Sequence, residues 1–176
     1  MDNLHNDVAK RPFQVKWGII AGVVGLAVLA YQYATGNHLS SSGHWSTWVS
    51  MVASVIIIHL AVSDYKKANR SLTLGQGIKV GLGVALIAGL FTLVWFLLLG
   101  YVLEPNLSAE IMEFARSQNP EDFAQLDAMP EDQRQAAMAV SEFFTSPFMM
   151  GTVGLLSSLF FGLIISLITS LIQKTQ

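Results

Sequence analysis

Three long stretches of the chain contain no Asp, Glu, Lys or Arg: residues 17–63, 80–103 and 143–173. Charged side chains are costly inside a bilayer, and about 20 apolar helical residues cross a hydrocarbon core about 30 Å thick. Stretches of this kind are therefore typical of membrane-spanning helices. Only 12% of the 176 residues are charged, against about 25% in an average soluble domain. This composition argues against a soluble globular enzyme, and the high hydrophobicity excludes a disordered chain.

The first charge-free stretch is too long for one crossing, and a polar, glycine-containing segment over residues 36–44 divides it. The sequence therefore predicts four transmembrane helices, at residues 17–34, 45–62, 78–103 and 148–172. The third is long enough to need some tilt. The fourth begins just after Pro147, and proline favours the first turn of a helix. We predict an all-α integral membrane protein in which residues 1–176 form a single four-helix bundle domain.

The first apolar segment also resembles a signal peptide. Basic residues precede it, and Val28-Leu29-Ala30 resembles a cleavage site. However, the apolar run continues to Ala34, longer than the roughly 7–15 residues usual in a signal peptide. We therefore expect an uncleaved span. Cleavage would not alter the orientation of the other three helices.

Basic residues are distributed unevenly between the two sides of such a four-span chain. Only Arg116 and Arg134 fall in the long third loop. The other eight fall on the side of the termini: Lys10, Arg11, Lys16, Lys66, Lys67, Arg70, Lys79 and Lys174. Because positive residues near span ends are retained in the cytoplasm, we predict that both the N- and C-termini are cytoplasmic. Tryptophans and tyrosines near the span ends fit the aromatic belts expected at both interfaces.

The loop over residues 104–146 holds nine of the twelve acidic residues. Its net charge is about −7, while the segments on the other side sum to about +5. A structureless loop of this length is uncommon, and hydrophobic residues recur at helical spacing from Leu107 to Ala115. We predict a helical, acidic, extracytoplasmic loop between helices 3 and 4. It is interpreted as a solvated cap, with binding of a cation, a basic partner or a lipid headgroup as the alternative.

Further helix signals lie within this loop. Asn119-Pro120-Glu121-Asp122 combines an N-cap residue, a first-turn proline and acidic residues favoured by the helix dipole. Phe123 and Leu126 would point inward from that helix. Pro130 precedes a third helix with Ala137, Val140 and Phe144 on one side, and Pro147 would break or kink the chain before helix 4.

Each predicted span carries a stripe of small residues, which allow close backbone approach in lipid. The stripes are Gly18, Gly22 and Gly25; Ser46, Ser50 and Ser54; Gly77, Gly81, Ala85, Ala88 and Thr92; and Gly151, Gly154, Ser158, Gly162, Ser166 and Thr169. Packing within one bundle is the preferred interpretation. A homo-oligomer interface and a hydroxyl-lined substrate path are the alternatives.

Within the predicted spans, only Gln32 and His59 are substantially polar. His59 lies near the inner end of helix 2, where an interfacial or packed histidine is favoured over a proton carrier. His38 and His44 flank the outer turn, but their spacing matches no zinc pattern, so we expect no metal and assign these three histidines no role. Asp64 is expected to form a surface ion pair near the basic residues that follow it.

Two readings also apply to Lys66, Lys67 and Arg70. These residues could contact anionic lipid, or they could serve only to fix the topology.

Motifs of catalysis are missing: there is no Gly-x-Ser-x-Gly, no phosphate-binding glycine loop ending in Gly-Lys-Ser/Thr, and no His-Glu-x-x-His. We therefore expect no enzyme, no catalytic or cofactor-binding residue, no cofactor and no nucleic-acid partner. The preferred function is a non-catalytic structural, accessory or interaction protein of the lipid bilayer. The alternative is a small transporter or channel, for which a homodimer is one option, with a route along Ser158, Ser166 and Thr169. A membrane enzyme using His59 or the outer histidines ranks third, and any small-molecule substrate is unspecified.

Two segments carry a family resemblance. The run Leu72-Thr73-Leu74-Gly75-Gln76-Gly77-Ile78-Lys79-Val80-Gly81 and the run Ser146-Pro147-Phe148-Met149-Met150-Gly151, which leads into Phe161-Gly162-Leu163-Ile164-Ile165-Ser166, resemble elements of a family of bacterial membrane proteins of unknown function, DUF4199. The acidic helical insert between them fits as well. The resemblance implies a small four-span protein of the bacterial inner membrane and carries over no activity, cofactor or catalytic residue.

Overall fold

The computed structural model describes residues 9–37 and 44–175, and these ranges contain helices and no strands. The helices in chain order are α1 (Arg11–Ala34), α2 (His44–Asn69), α3 (Leu74–Leu98) with a π-helical turn at Leu99–Leu103, α4 (Leu107–Gln118), α5 (Pro120–Asp127), α6 (Glu131–Thr145) and α7 (Pro147–Gln173). The all-α fold is confirmed.

Four of these helical segments are long and apolar enough to cross a membrane: Arg11–Ala34, Trp45–Asn69, Leu74–Leu103 and Pro147–Gln173. The chain is a multi-pass membrane protein, and the prediction of four spans is confirmed. Two helices extend well beyond the apolar segments, since α1 begins at Arg11 and α2 continues to Asn69. Long basic side chains tolerate this because their charged ends reach interfacial water while their stems lie along the helix.

The start of α3 is fixed by a capping box. Thr73 N–H donates to Gln76 Oε1 at 2.9 Å, and Gln76 N–H donates to Thr73 Oγ1 at 3.3 Å. These reciprocal bonds satisfy backbone donors that have no partner within the helix. The helix therefore begins at Leu74, four residues before the apolar segment predicted from residue 78.

Contacts within the described chain separate it into two compact units. Unit 1 comprises the residues up to Thr92 and those from Leu155 onward, and unit 2 comprises Leu93–Gly154. Helices α3 and α7 each contribute residues to both units. The assignment of residues 1–176 to a single membrane domain stays a prediction.

The core of unit 1 centres on the second half of α2. Tyr65 and Val62 are fully buried, and the Tyr65 ring packs edge-on against Phe13 of α1 with 5.6 Å between centroids. Residues of all four helices complete this core: Phe13, Trp17, Ala21, Ile57, Ile58, Ala61, Val62, Tyr65, Leu72, Val80, Val84 and Ile165. Many other large apolar side chains of the helices face outward, as a lipid-facing surface requires.

Glycines of unit 1 bring helix backbones into close contact. A Cβ added to Gly18 would lie 2.7 Å from Ile87 Cβ, which no real side chain tolerates, so α1 and α3 touch there. A Cβ on Gly81 would lie 2.7 Å from Ser166 Cβ, so α3 and α7 touch as well. Packing within one chain, the preferred interpretation of these stripes, is confirmed at these positions.

Four helix ends meet at one end of unit 1. Gln14 Nε2 of α1 donates to Lys79 O of α3 at 2.8 Å. Lys66 Nζ of α2 donates to Gln173 O of α7 at 2.6 Å. We call this the basic end of unit 1, because Lys10, Lys16, Lys66, Lys67, Arg70, Lys79 and Lys174 lie on the helix ends that meet there.

Unit 2 contains the predicted helices of the acidic loop. Leu107 is buried, and Ser108 Oγ donates to Thr145 O at 3.1 Å, which joins α4 to the end of α6. Pro147 begins α7 after an extended Ser146, so the predicted break is confirmed. The location of this loop outside the cytoplasm stays a prediction.

Two details of unit 2 differ from the sequence analysis. Asn119 stands at the N-cap of α5 but makes no side-chain cap bond, and its Nδ2 instead donates to Ala115 O at 3.4 Å. Val140 and Phe144 lie on an exposed side of α6. The apolar side of α6 is therefore only partly covered, although the Phe144 ring packs edge-on against Phe143.

The close contact at Gly81 can be tested by a single methyl group. Gly81→Ala is expected to lower the free energy of unfolding by about 1–3 kcal/mol, because overpacking displaces buried neighbours. The measurement is denaturant unfolding of the detergent-purified protein followed by circular dichroism. Gly25→Ala is the control, since its Cβ would meet no atom within 4 Å and alanine is the better helix former. Ser166→Gly should restore part of the loss, and a Gly81→Ala variant as stable as the parent would contradict this packing.

Candidate functional site

One face of α2 carries a run of polar and basic side chains towards its C-terminal end. Residues three or four apart lie on the same side of a helix. The run is His59, Ser63, Lys66 and Lys67. Together with Arg70, which directly follows α2, and Gln173 of α7, these residues line an open pocket of about 480 Å³. We call it the basic pocket. It lies wholly within unit 1.

Gln173 forms the α7 wall of the basic pocket. Its Nε2 lies 3.1 Å from His59 Nδ1 and 3.2 Å from His59 Nε2, and it donates to His59 O at 3.2 Å. Lys66 Nζ donates to the backbone oxygen of Gln173, the last residue of α7. A cation there is favoured by the partial negative charge at a helix C-terminus. Lys66 therefore serves to hold α2 and α7 together.

The chain after α7 is tied to the loop that follows α2. Thr175 Oγ1 accepts from Leu72 N–H at 3.0 Å, and Thr175 N–H donates to Leu72 O at 3.0 Å. Leu72 is itself buried. These two bonds fix the α7 wall relative to the α2 wall, so the pocket is preformed.

Arg70 has an unusual backbone conformation. It follows directly after α2 and has a φ of 60°, the left-handed conformation that usually ends helices at glycine. A residue with a Cβ is disfavoured there by about 1–2 kcal/mol. Asn69 Nδ2 donates to Ser71 O at 3.0 Å and stabilises the turn from its other side. Arg70 therefore has a backbone conformation that glycine would adopt without a steric penalty.

The described lining of the basic pocket contains cations and no acidic residue, although Asp64 nearby attracts Lys67 electrostatically. Lys67 and Arg70 are exposed and form no ion pair with a residue in the ranges 9–37 and 44–175. Lys66 bonds to a neutral carbonyl. The described lining thus combines three cations with a hydroxyl, an imidazole and an amide, which is the chemistry of an anion site.

Asp64 lies on α2 beside this run but bonds to α1. Its Oδ2 accepts from Trp17 Nε1 at 3.0 Å and pairs with Lys16 Nζ at 3.1 Å. The Lys16 ammonium also lies 4.7 Å from the centroid of the Trp17 ring. The predicted ion pair of Asp64 is confirmed, but its partner comes from α1 rather than from the basic residues that follow in sequence.

The histidines of the sequence analysis are placed only in part. His59 lines the basic pocket, while His38 lies outside the described residues and His44 begins α2. Across residues 9–37 and 44–175, no three histidine or acidic side chains come together in a way that could hold a metal ion.

The hydroxyls of the proposed transport route lie in helix contacts. Ser158 Oγ donates to Ala85 O of α3 at 2.9 Å. Ser166 is fully buried, and its Oγ donates to Gly162 O of its own helix. Thr169 is 4% exposed. The observation that motivated the transporter alternative is therefore explained by packing.

The basic pocket as a unit was not predicted, although the sequence contains a signal for it. His59, Ser63 and Lys66 or Lys67 recur at three-to-four-residue spacing, which places them on one helix face, and Arg70 continues this spacing just beyond the helix. The contribution of Gln173 and the left-handed Arg70 depends on tertiary structure, and no spacing in the sequence indicates either.

One comparison with known proteins finds a match. The model of a family described as "Protein of unknown function (DUF4199)" matches residues 16–175. No curated protein and no solved structure matches the chain. Because the match covers nearly the whole chain, the protein belongs to the DUF4199 family, and the sequence resemblance is confirmed.

The two bonds of Asp64 are expected to contribute unequally to stability. Lys16 is largely exposed, so its coupling to Asp64 should be below about 1 kcal/mol, whereas the half-buried hydrogen bond from Trp17 to a carboxylate should contribute about 1.5–3 kcal/mol. Double-mutant cycles with Asp64→Ala, Lys16→Met and Trp17→Phe, measured by unfolding in detergent, separate the two. Only the Lys16 coupling should shrink with added salt. A Lys16 coupling larger than the Trp17 coupling would contradict this order.

Proposed function

We propose that this protein is a non-catalytic accessory or interaction protein of the bacterial inner membrane, with both termini in the cytoplasm. The observation that supports the proposal is that polar groups of unit 1 take part in contacts between helices. Hydroxyls of α7 and small residues of α3 make helix contacts, and the basic pocket, lined by described residues, lies towards the basic end of α2 and α7.

The polar side chain of α1 also supports a packing role. Gln32 Nε2 donates to Ser46 Oγ of α2 at 2.6 Å, which satisfies a polar group that would be costly if left alone in lipid. A carrier that moves charged species generally needs ionisable groups inside the membrane. Among the described residues of the four spans, the Asp, Lys and Arg side chains occur towards the helix ends, and His59 lies farther inside α2. Action through contact with other membrane components fits this distribution better than transport.

The proposed orientation is supported by charge. The start of α1, the end of α2, the start of α3 and the end of α7 meet at the basic end of unit 1. These segments carry most of the basic residues of the chain, and positive charge near span ends is retained in the cytoplasm. A homo-oligomer remains part of the proposal, since outward-facing apolar surface is available to a second copy as well as to lipid.

Single-cysteine labelling tests the orientation, and the chain contains no cysteine that would interfere. A membrane-impermeant maleimide should label Gln125→Cys and Ser41→Cys in intact cells, because both positions are proposed to face outward; Ser41 lies outside the described residues. Ser71→Cys should react only after the cells are permeabilised. Labelling of all three variants in solubilised membranes serves as the control. Reaction of Ser71→Cys from outside would overturn the proposed topology.

Reconstitution into liposomes tests the non-transport role. Proton and potassium flux into proteoliposomes, followed with a pH-sensitive dye under an imposed gradient, should equal that of protein-free liposomes because the hydroxyls of α7 are used in packing. A flux that depends on the protein and falls in Ser166→Ala or Thr169→Ala would support a transporter instead. Ser157→Ala, an exposed serine on the same helix, is the matched control for these substitutions.

A further inference from the structure

We propose that the basic pocket binds a phosphate group, and that the phosphate is presented by an anionic phospholipid at the end of the span. The site consists of the positive charges of Lys67 and Arg70, the hydroxyl of Ser63 and the imidazole of His59, with Gln173 as the α7 wall. This inference concerns a ligand site and does not depend on the accessory role proposed above.

The chemistry of the lining selects an oxyanion. Arginine offers a planar fork of N–H donors that matches the oxygens of phosphate, and lysine offers a strong point charge. Neither Lys67 nor Arg70 is held in an ion pair by a described carboxylate, so both can contact a ligand in the pocket, although Asp64 also attracts Lys67. The volume of about 480 Å³ lies within the range of roughly 300–1,000 Å³ typical of small-molecule sites.

The conformation of Arg70 favours a role in binding over a role in topology alone. Retention of a loop in the cytoplasm requires positive charge near a span end, and any nearby position would supply it. It does not require an arginine in the left-handed region at the position where a helix normally ends in glycine. Strain that persists at one residue is a reason to look for a function of that residue.

The surroundings of the pocket favour a lipid as the source of the phosphate. Leu60, next to His59, is 41% exposed, and Ile172, next to Gln173, is 73% exposed. Both belong to candidate membrane spans, so apolar surface suited to acyl chains adjoins the polar lining. Basic pockets between transmembrane helices at the cytoplasmic side commonly take anionic headgroups.

The test uses the full-length protein purified in detergent and native mass spectrometry to measure the binding of phosphatidylglycerol. Lys67→Gln and Arg70→Gly should each weaken this binding about fivefold, and the double variant about 25-fold. Lys79→Gln is the matched control, because it removes an exposed basic residue of the same basic end that does not line the pocket. It should change the affinity less than twofold, and phosphatidylcholine should bind weakly to all variants.

Arg70→Gly separates binding from stability. Glycine adopts a φ of 60° without a steric penalty, so this variant should unfold at the same temperature as the parent or higher while it loses affinity. A merely structural arginine would show the reverse, with unchanged lipid binding. If Arg70→Gly does not fold, Lys67→Gln alone carries the comparison with Lys79→Gln.

Titration with inorganic phosphate distinguishes the two sources. Phosphatidylglycerol binding that depends on Lys67 and Arg70, with no effect of millimolar inorganic phosphate, supports the headgroup. If inorganic phosphate binds and this binding also depends on Lys67 and Arg70, the phosphate site is supported, but its ligand is a soluble phosphate rather than a lipid headgroup. Phosphatidylglycerol binding that is insensitive to Lys67→Gln and Arg70→Gly, or that falls equally in Lys79→Gln, would overturn the proposal.

Discussion

Close packing of helix backbones at small residues underlies the structure of unit 1. Water is absent from the hydrocarbon region, so helices satisfy their backbones internally and associate mainly by close packing. At Gly81 the backbone of α3 comes so close to Ser166 of α7 that a methyl group would not fit between them. The serine remains satisfied because its hydroxyl turns back to Gly162 O of its own helix. At this contact, glycine on one helix and a self-bonded hydroxyl on the other thus allow close approach without an unpaired polar group, whereas the buried hydroxyls of Tyr65 and Ser170 have no hydrogen-bond partner among the described residues.

This packing confines polar chemistry to the helix ends. Gln32 bonds to Ser46 near the end of α1, while Asp64 and the basic pocket lie towards the end of α2. At the basic end, side chains from α1 and the end of α7 reach across to α2, so the same contacts that fix the helix ends also shape the pocket. Lys66 shows this most directly, because it lines the pocket and also bonds to the last residue of α7. The packing of α7 against α2 therefore also forms the pocket.

The spans could be predicted from sequence because membrane crossing depends on local properties, charge and length, which the sequence states directly. The capping box at Thr73 and Gln76 depends on two residues that lie three apart, so it too has a local sequence signal. The partner of Asp64 was not predictable. Lys66 and Lys67 are its neighbours in sequence, and only the packing of α1 against α2 brings Lys16 and Trp17 to it. The left-handed Arg70 likewise depends on how the chain turns from α2 into α3.

Basic residues near span ends meet two demands that are usually indistinguishable, namely orientation of the chain and attraction of anionic lipid. In this protein the two can be separated by geometry. Lys79 contributes charge near the start of α3 but does not line the pocket, whereas Lys67 on α2 and Arg70 just after it both line the pocket. Orientation depends on the sum of such charges and tolerates their exchange between positions. A phosphate is bound tightly only where several such charges lie close together. Phosphate binding therefore explains why Arg70 keeps a left-handed conformation in the pocket, which the sum of the charges does not explain.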